Sequence, residues 1–169
     1  RGVLAAGMTF NHDHIILDAS CIISLYGSRQ MENILRSIPK TVSVTAYVYE
    51  KEAIWIYGGP DHNVRQVKEK IDLLPFVKAG LLKIVKVDSE AEIEMQVNLE
   101  ARLDPGEAIT GAIAICRNWA IALDEKKARK LFSHDATHIQ QLYTLELVKH
   151  WSDTAELSFE PISTTLWNI

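Results

Sequence analysis

Two cysteines in 169 residues, Cys21 and Cys116, are too few for a disulfide framework. No Cys-x-x-Cys spacing offers the ligands of a structural zinc site. Both cysteines sit inside apolar patterns, so two buried free thiols in a reducing compartment are expected. Long hydrophobic runs are also missing. The apolar stretches are short and end in charge, well under the roughly 18 residues of a membrane span. No secretory leader pattern is visible. The expectation is therefore a cytoplasmic protein that does not enter a membrane. Positive charge is outnumbered, 18 Lys and Arg against 22 Asp and Glu, for a net charge of −4. That disfavours a nucleic-acid binder that works through overall basic charge. It leaves room for one that holds phosphates through metal ions and a local basic patch. Repeats, low-complexity tracts and linkers are absent as well. One domain over 9–169 is the economical reading, with 1–7 set apart as an added or disordered extension ahead of Met8.

What is present is ordinary core material, 47% hydrophobic and 24% charged. It is arranged as strands alternating with helices. His14 to Ala19 reads as a buried strand, Arg29 to Ile38 as an amphipathic helix and Thr41 to Thr45 as a second strand. Helices are expected at Ala46 to Tyr57 and Val64 to Ala79, and a strand at Leu81 to Val87. Two further helices run from Glu90 to Leu103 and from Asp104 to about Trp119. Ala120 to Leu123 is a strand, Glu125 to Phe132 a basic helix, His138 to Leu142 the last strand and Thr144 to Trp151 the last helix. Such alternation predicts parallel β–α–β units and a sheet covered on both faces. In open sheets of this kind ligands bind outside the carboxyl ends of the strands, which is where chemistry should be sought.

Acids stand at those ends. Ile-Ile-Leu-Asp18 and Ile-Ala-Leu-Asp124 each finish an apolar strand on a carboxylate, which is costly there unless paired, capped or metal-bound. Taken singly, each reads equally well as a helix cap. Asp104-Pro-Gly-Glu107 has the form of a capping box, and for Asp104 the cap is the better reading. Glu107 opens an almost wholly apolar helix that points it into the protein, where it needs a partner. Glu50 lies after the second strand, with Glu52 as its rival. Carboxylates converging from several strand ends suit Mg²⁺ or Mn²⁺, hard cations that take oxygen ligands. Such an ion lowers the pKa of a water and neutralises charge on a phosphoryl oxygen.

The ordered set Ile15-Ile-Leu-Asp18-Ala-Ser20, Val44-Thr-Ala-Tyr-Val-Tyr-Glu50, Leu103-Asp-Pro-Gly-Glu107-Ala and Ala122-Leu-Asp124-Glu-Lys-Lys-Ala-Arg129 resembles the PIN-domain family, from about Ile15 to Trp151. It is closest to a prokaryotic branch whose third acid lies in a Gly-Glu-Ala helix start. The resemblance implies a three-layer α/β/α sandwich around a parallel sheet. It also implies a Mg²⁺- or Mn²⁺-dependent ribonuclease, with Asp18 and Asp124 as metal ligands and Glu50 and Glu107 completing an acidic, catalytic pocket. Ser20 matches the small hydroxyl residue after the first acid, and reads equally as a helix cap. Some relatives are toxins of toxin–antitoxin pairs (the VapC type), which implies RNA as substrate, a small antitoxin as partner and a homodimer. A departure is that the third family acid is often an aspartate. Here it is Glu107, whose extra methylene changes the reach of the carboxylate.

Other residues fall outside this set. Lys126, Lys127, Arg129 and Lys130 follow Asp124 and are placed either to contact RNA phosphates or to form a solvated helix face, as is Arg117. His12-Asp13-His14 and His134-Asp135-Ala-Thr-His138 suit softer metals but lack a third ligand, so structural roles are expected for them. Trp55 and Trp119 are read as core, Trp151 and Trp167 as covers for an interface. Two other functions compete. One is a PIN-like module that binds metal or RNA but cuts poorly. The other is a phosphoryl-transfer domain with Asp18 as nucleophile.

Overall fold

The segment His14–Leu17 forms strand β1, and from Ile15 onward its side chains are all buried. A strand covered on both faces belongs in the middle of a sheet with helices on each side. The computed structural model, which describes residues 7–57 and 68–155, places it there. β1 runs parallel to β2 (Thr41–Thr45), with Leu17 beside Val44, and to β6 (Ala120–Ala122), with Leu17 beside Ala122. β5 (Lys83–Val85) extends the sheet past β2, and β7 (Gln141–Leu142) extends it past β6. The result is a five-stranded parallel sheet of order β5-β2-β1-β6-β7. Two short strands, β3 (Trp55–Tyr57) and β4 (Lys68–Lys70), pair antiparallel as a separate ribbon.

Right-handed crossovers decide which face each helix covers. From β1 through β2 to β5 the chain moves one way across the sheet. Its connections, α1 (Ala19–Gly27), α2 (Met31–Ser37) and α3 (Leu74–Lys78), pack on one face together with the closing helix α7 (Thr144–Thr154). From β5 over to β6 and β7 the chain moves the other way. Its connections, α4 (Glu90–Glu100), α5 (Pro105–Arg117) and α6 (Lys126–Asp135), pack on the opposite face. Two cores follow from the period of two along each strand. Ile15, Leu17, Val42, Val44, Ala120 and Ala122 face α1, α2 and α7, while Ile16, Ile121 and Leu123 face α4, α5 and α6. This is a three-layer α/β/α sandwich, as the alternation of elements predicts. No helix of the described residues is long and apolar enough to cross a membrane.

The structure departs from the sequence reading between β2 and β5. In place of a helix from Ala46 to Tyr57 there is a π-helical turn, Val48–Glu52, followed by β3. In place of the C-terminal part of the next expected helix there are β4 and the single turn α3, whose Pro75 sits in its first turn. Gly58, Gly59, Pro60, Val64 and Val67 lie outside the described residues, as does Trp167. Trp55 is on an exposed β3 position with the Lys68 ammonium 4.4 Å from its ring centroid, so it is not core. Trp151, read as an interface cover, is buried in the first core. Of the two cysteines only Cys21 is buried, and Cys116 is exposed. Arg117 is structural: its guanidinium bonds Glu92 at 2.6 Å and the Lys86 carbonyl at 2.8 Å, tying α4 to α5.

Gly111, in mid-α5, shows how closely α6 approaches. A Cβ there would lie 2.5 Å from Phe132 Cζ and 2.8 Å from Cε1. The Phe132 side chain is fully buried and has nowhere to yield. Alanine would gain about 1 kcal/mol of helix propensity. Gly111→Ala is nevertheless expected to destabilise the protein by ~1–3 kcal/mol in urea unfolding through overpacking. Adding Phe132→Leu should recover part of the loss. A Gly111→Ala protein as stable as wild type would contradict this packing.

Candidate acidic centre

The order of the sheet puts a topological switch between β1 and β6, because the chain leaves β1 in one direction and reaches β6 from the other. The helices that follow these strands diverge to opposite faces there and leave a crevice at the carboxyl edge. Asp18 is the first residue past β1, and Asp124 is the second past β6. The Asp18 N–H donates to the Ala122 carbonyl at 2.9 Å, so the strand pairing carries both acids to the same edge.

Asp18 is 4% exposed. It caps α1, and its Oδ2 accepts from the Ser20 hydroxyl at 3.0 Å and the Ser20 N–H at 3.4 Å. Burial pushes its carboxyl above the usual aspartate range. The Ser20 hydroxyl and the Ala19 and Ser20 amides oppose that rise, and the charge of Asp124 adds to it. Asp124 is held by the first residue of α7: Oδ1 accepts from the Thr144 N–H at 2.9 Å and Oδ2 from the Thr144 hydroxyl at 2.5 Å. Thr144 is buried and also contacts the Cys21 thiol. Burial raises that thiol first, with Asp124 and Asp18 adding to the effect, so Cys21 stays neutral and serves as packing.

The third carboxylate near Asp18 is Glu52. The Ala53 N–H closes the π-helical turn onto the Val48 carbonyl at 2.8 Å, one residue beyond the α-helical register. The extra residue turns Glu52 inward and leaves Glu50 exposed, beside Tyr49, Lys70 and Leu74 on another flank. The Glu52 carboxylate lies against Gly106 at the start of α5, whose N–H favours its charged form. A Cβ on residue 106 would lie 2.0 Å from Glu52 Oε2, so this approach requires glycine. Burial raises Glu52 above its usual range, and the charges of Asp18, Asp104 and Glu107 push the same way. Glu107 is half-buried on the first turn of α5. Its Oε2 accepts from the Asp104 N–H at 3.2 Å, the return half of the expected capping box. Burial raises Glu107 as well, with the charges of Asp18, Glu125 and Asp104 adding.

Of the residues picked out by sequence, Asp18 and Asp124 share the carboxyl edge of the sheet, Ser20 bonds Asp18, the charges of Asp18 and Glu107 act on each other, and Glu50 is exposed. Glu52, the rival of Glu50 in the sequence, is half-buried and feels the charge of Asp18. Among the described residues, none of Asp18, Glu52, Asp104, Glu107 and Asp124 forms an ion pair. As these side chains stand, no three His, Cys, Asp or Glu among the described residues are grouped to hold a metal ion. Within the basic run, Arg129 is structural: it donates to the Leu123 and Leu142 carbonyls at 2.9 and 3.0 Å and lies 3.3 Å from the Tyr143 ring centroid. Lys126, Lys127 and Lys130 are exposed. His12 and His138 bond backbone carbonyls, His14 stacks on Trp119, and His134 pairs with Asp135, so the histidines serve the framework. Thr144 and Gly106 were not singled out by sequence. For Thr144 there was no signal, since its partner lies 20 residues away. For Gly106 the signal was a glycine inside the first turn of an otherwise apolar helix. No protein-family model matches the chain, and no curated protein matches it.

Between the ordinary aspartate value of 3.8 and its own raised value, folded Asp18 holds a proton that the unfolded chain has lost. Stability of the metal-free protein should fall as pH rises through that window and stay low above it. Asparagine caps helices as well as aspartate does. Asp18→Asn in EDTA at neutral pH should thus keep the cap, remove the charge and raise Tm by about 2–4 °C, the shift of a ~1 kcal/mol gain. A lower Tm for Asp18→Asn would mean that the carboxylate stabilises the fold as it stands.

Proposed function

We propose that this chain is a divalent-metal-dependent endoribonuclease of the PIN type, hydrolysing RNA phosphodiester bonds at the carboxyl edge of its sheet. One observation carries the reading: a buried aspartate at the topological switch point lies within reach of the charges of Asp124, Glu52 and Glu107 and has no cationic partner among the described residues. Buried charge of one sign calls for a counter-charge. The donor set is all oxygen, which fits Mg²⁺ or Mn²⁺ and not zinc or copper. Asp18 and Asp124 are the ligands in this reading, with Glu52 and Glu107 completing the shell. Bound there, the cation would supply Lewis-acid activation of water and neutralise phosphoryl charge.

The protein's own groups divide the remaining work. Ser20 and the α1 amides fix the orientation of Asp18. Thr144 presents Asp124 with both oxygens already hydrogen-bonded, so that it turns little when loaded. Glu52 and Glu107, the two carboxylates least committed to the fold, are placed to accept a proton from the attacking water. RNA is the substrate, and a small protein that covers the acidic centre would act as an antitoxin. The separation of the carboxylates favours a second reading, a PIN-like module that binds RNA or metal and cuts poorly.

Incubation of the protein with structured and single-stranded RNAs in Mn²⁺, Mg²⁺ or EDTA distinguishes the two. Cleavage should require metal and fall at least 10²-fold in Asp18→Asn/Asp124→Asn, a loss on the scale of one electrostatic stabiliser. Gly106→Ala should reduce it too, by displacing Glu52, while Glu50→Gln leaves it unchanged. A folded wild type that binds RNA but never cuts it would establish the second reading.

A further inference from the structure

Ser43, Thr45 and Thr110 are hydroxyl residues fully buried between β2 and α5. Ser43 is the register partner of Ile16, so it points to the face that α4, α5 and α6 cover. Thr45 lies two residues further on and shares that face. On this face α5 packs across β1, β2 and β6. Thr110 stands one turn below Gly106, the residue against which Glu52 lies, so its side of the helix looks toward the chain that leaves β2. Gly111 is turned instead to Phe132 and Leu99. A threonine inside a helix ordinarily satisfies its hydroxyl on the carbonyl three or four residues back. Thr110 does not: its Oγ1 has no hydrogen-bond partner in the protein, and neither has Ser43 Oγ. Thr45 Oγ1 accepts from the Val48 N–H at 3.1 Å, which leaves its own proton free to donate. Buried hydroxyls are nearly always paired, with protein or with ordered water, because an orphaned one loses its hydration for nothing. Neutral hydroxyls bring no charge for a metal ion, and each of them both donates and accepts. Water matches such a set, since it donates and accepts in kind and takes about three partners when buried.

We propose that one water molecule is bound in the layer between β2 and α5, hydrogen-bonded by Ser43, Thr45 and Thr110. It ties the start of the π-helical turn, through Thr45, to the second turn of α5, through Thr110. These are the two elements that meet where Glu52 lies on Gly106. The site uses none of the carboxylates of the acidic centre and does not depend on the nuclease reading. In the sequence its residues are hydroxyls at core positions, Thr110 in Ala108-Ile-Thr-Gly-Ala-Ile and Ser43 in Thr41-Val-Ser-Val-Thr. Apolar residues there would fill the layer without a polar atom to satisfy, so the hydroxyls are explained by what they hold.

A crystal structure of the wild type should show solvent density within about 3.2 Å of both Ser43 Oγ and Thr110 Oγ1. Oxygen-17 relaxation dispersion should count one long-lived water fewer in Ser43→Ala/Thr110→Val than in wild type. Thermal unfolding in EDTA supplies the energetic half of the test. Thr110→Val keeps the shape of the side chain and removes the hydroxyl. It should lower Tm by about 2–4 °C, the shift of one lost hydrogen bond in a chain of this size. Ser43→Ala should act likewise, and the double variant should lose less than the sum, because both changes strike one water. A higher Tm for Thr110→Val would mean that the hydroxyl is orphaned in a dry layer, and would overturn the proposal. So would a crystal structure in which the hydroxyls bond each other or a main-chain carbonyl with no solvent between them, or an unchanged count of long-lived waters.

Discussion

The Asp18 carboxylate loses most of its water on folding, and no lysine, arginine or histidine among the described residues stands in for it. Burying one unpaired charge is among the costlier choices a fold can make. Here the cost is reduced by a hydroxyl, two amides and a raised pKa, and increased by Asp124, Glu52 and Glu107 nearby. The surroundings are built to hold these acids in place: Thr144 grips Asp124 with both its donors, and α5 gives up a side chain at Gly106 so that Glu52 can lie on its first turn. An arrangement that concentrates like charge and fixes its geometry costs the fold stability as it stands. On the function proposed above, the missing counter-charge is the divalent cation.

The position of the cluster is a consequence of chain direction. Because crossovers are right-handed, reversing the direction of travel across the sheet moves the helices to the other face, and the reversal happens beside β1. The same reversal that separates the two cores opens the crevice at the β1 and β6 ends. Sheet topology, core composition and the meeting of Asp18 with Asp124 are thus one fact seen at three scales.

Much of this was legible in the chain itself. The buried runs Ile15 to Leu17 and Ala120 to Leu123, each ending in Asp, announced interior parallel strands with acids at their carboxyl ends. The Pro-Gly-Glu start of α5 announced its capping box. What was hidden depended on register and on distant contacts. Helical periodicity assumes 3.6 residues per turn, so with a π-helical turn at Val48–Glu52 the spacing could not choose between the rivals Glu50 and Glu52, and the resemblance alone pointed to Glu50. The β3–β4 ribbon was lost because Lys68, Glu69 and Lys70 carry no strand-like alternation and are ordered by pairing with Trp55, Ile56 and Tyr57. The split of the basic run, with Arg129 bound to backbone carbonyls and Lys127 exposed, is set by tertiary contacts that spacing does not encode.

Direct titration of Mn²⁺ at neutral pH, followed by the loss of the free-ion electron paramagnetic resonance signal, addresses the acidic centre without reference to any substrate. Wild type should take up the ion, and Asp18→Asn, folded and with its helix cap intact, should leave it free. Uptake by Asp18→Asn as strong as by wild type, or none by either, would contradict an acidic centre organised around a divalent cation.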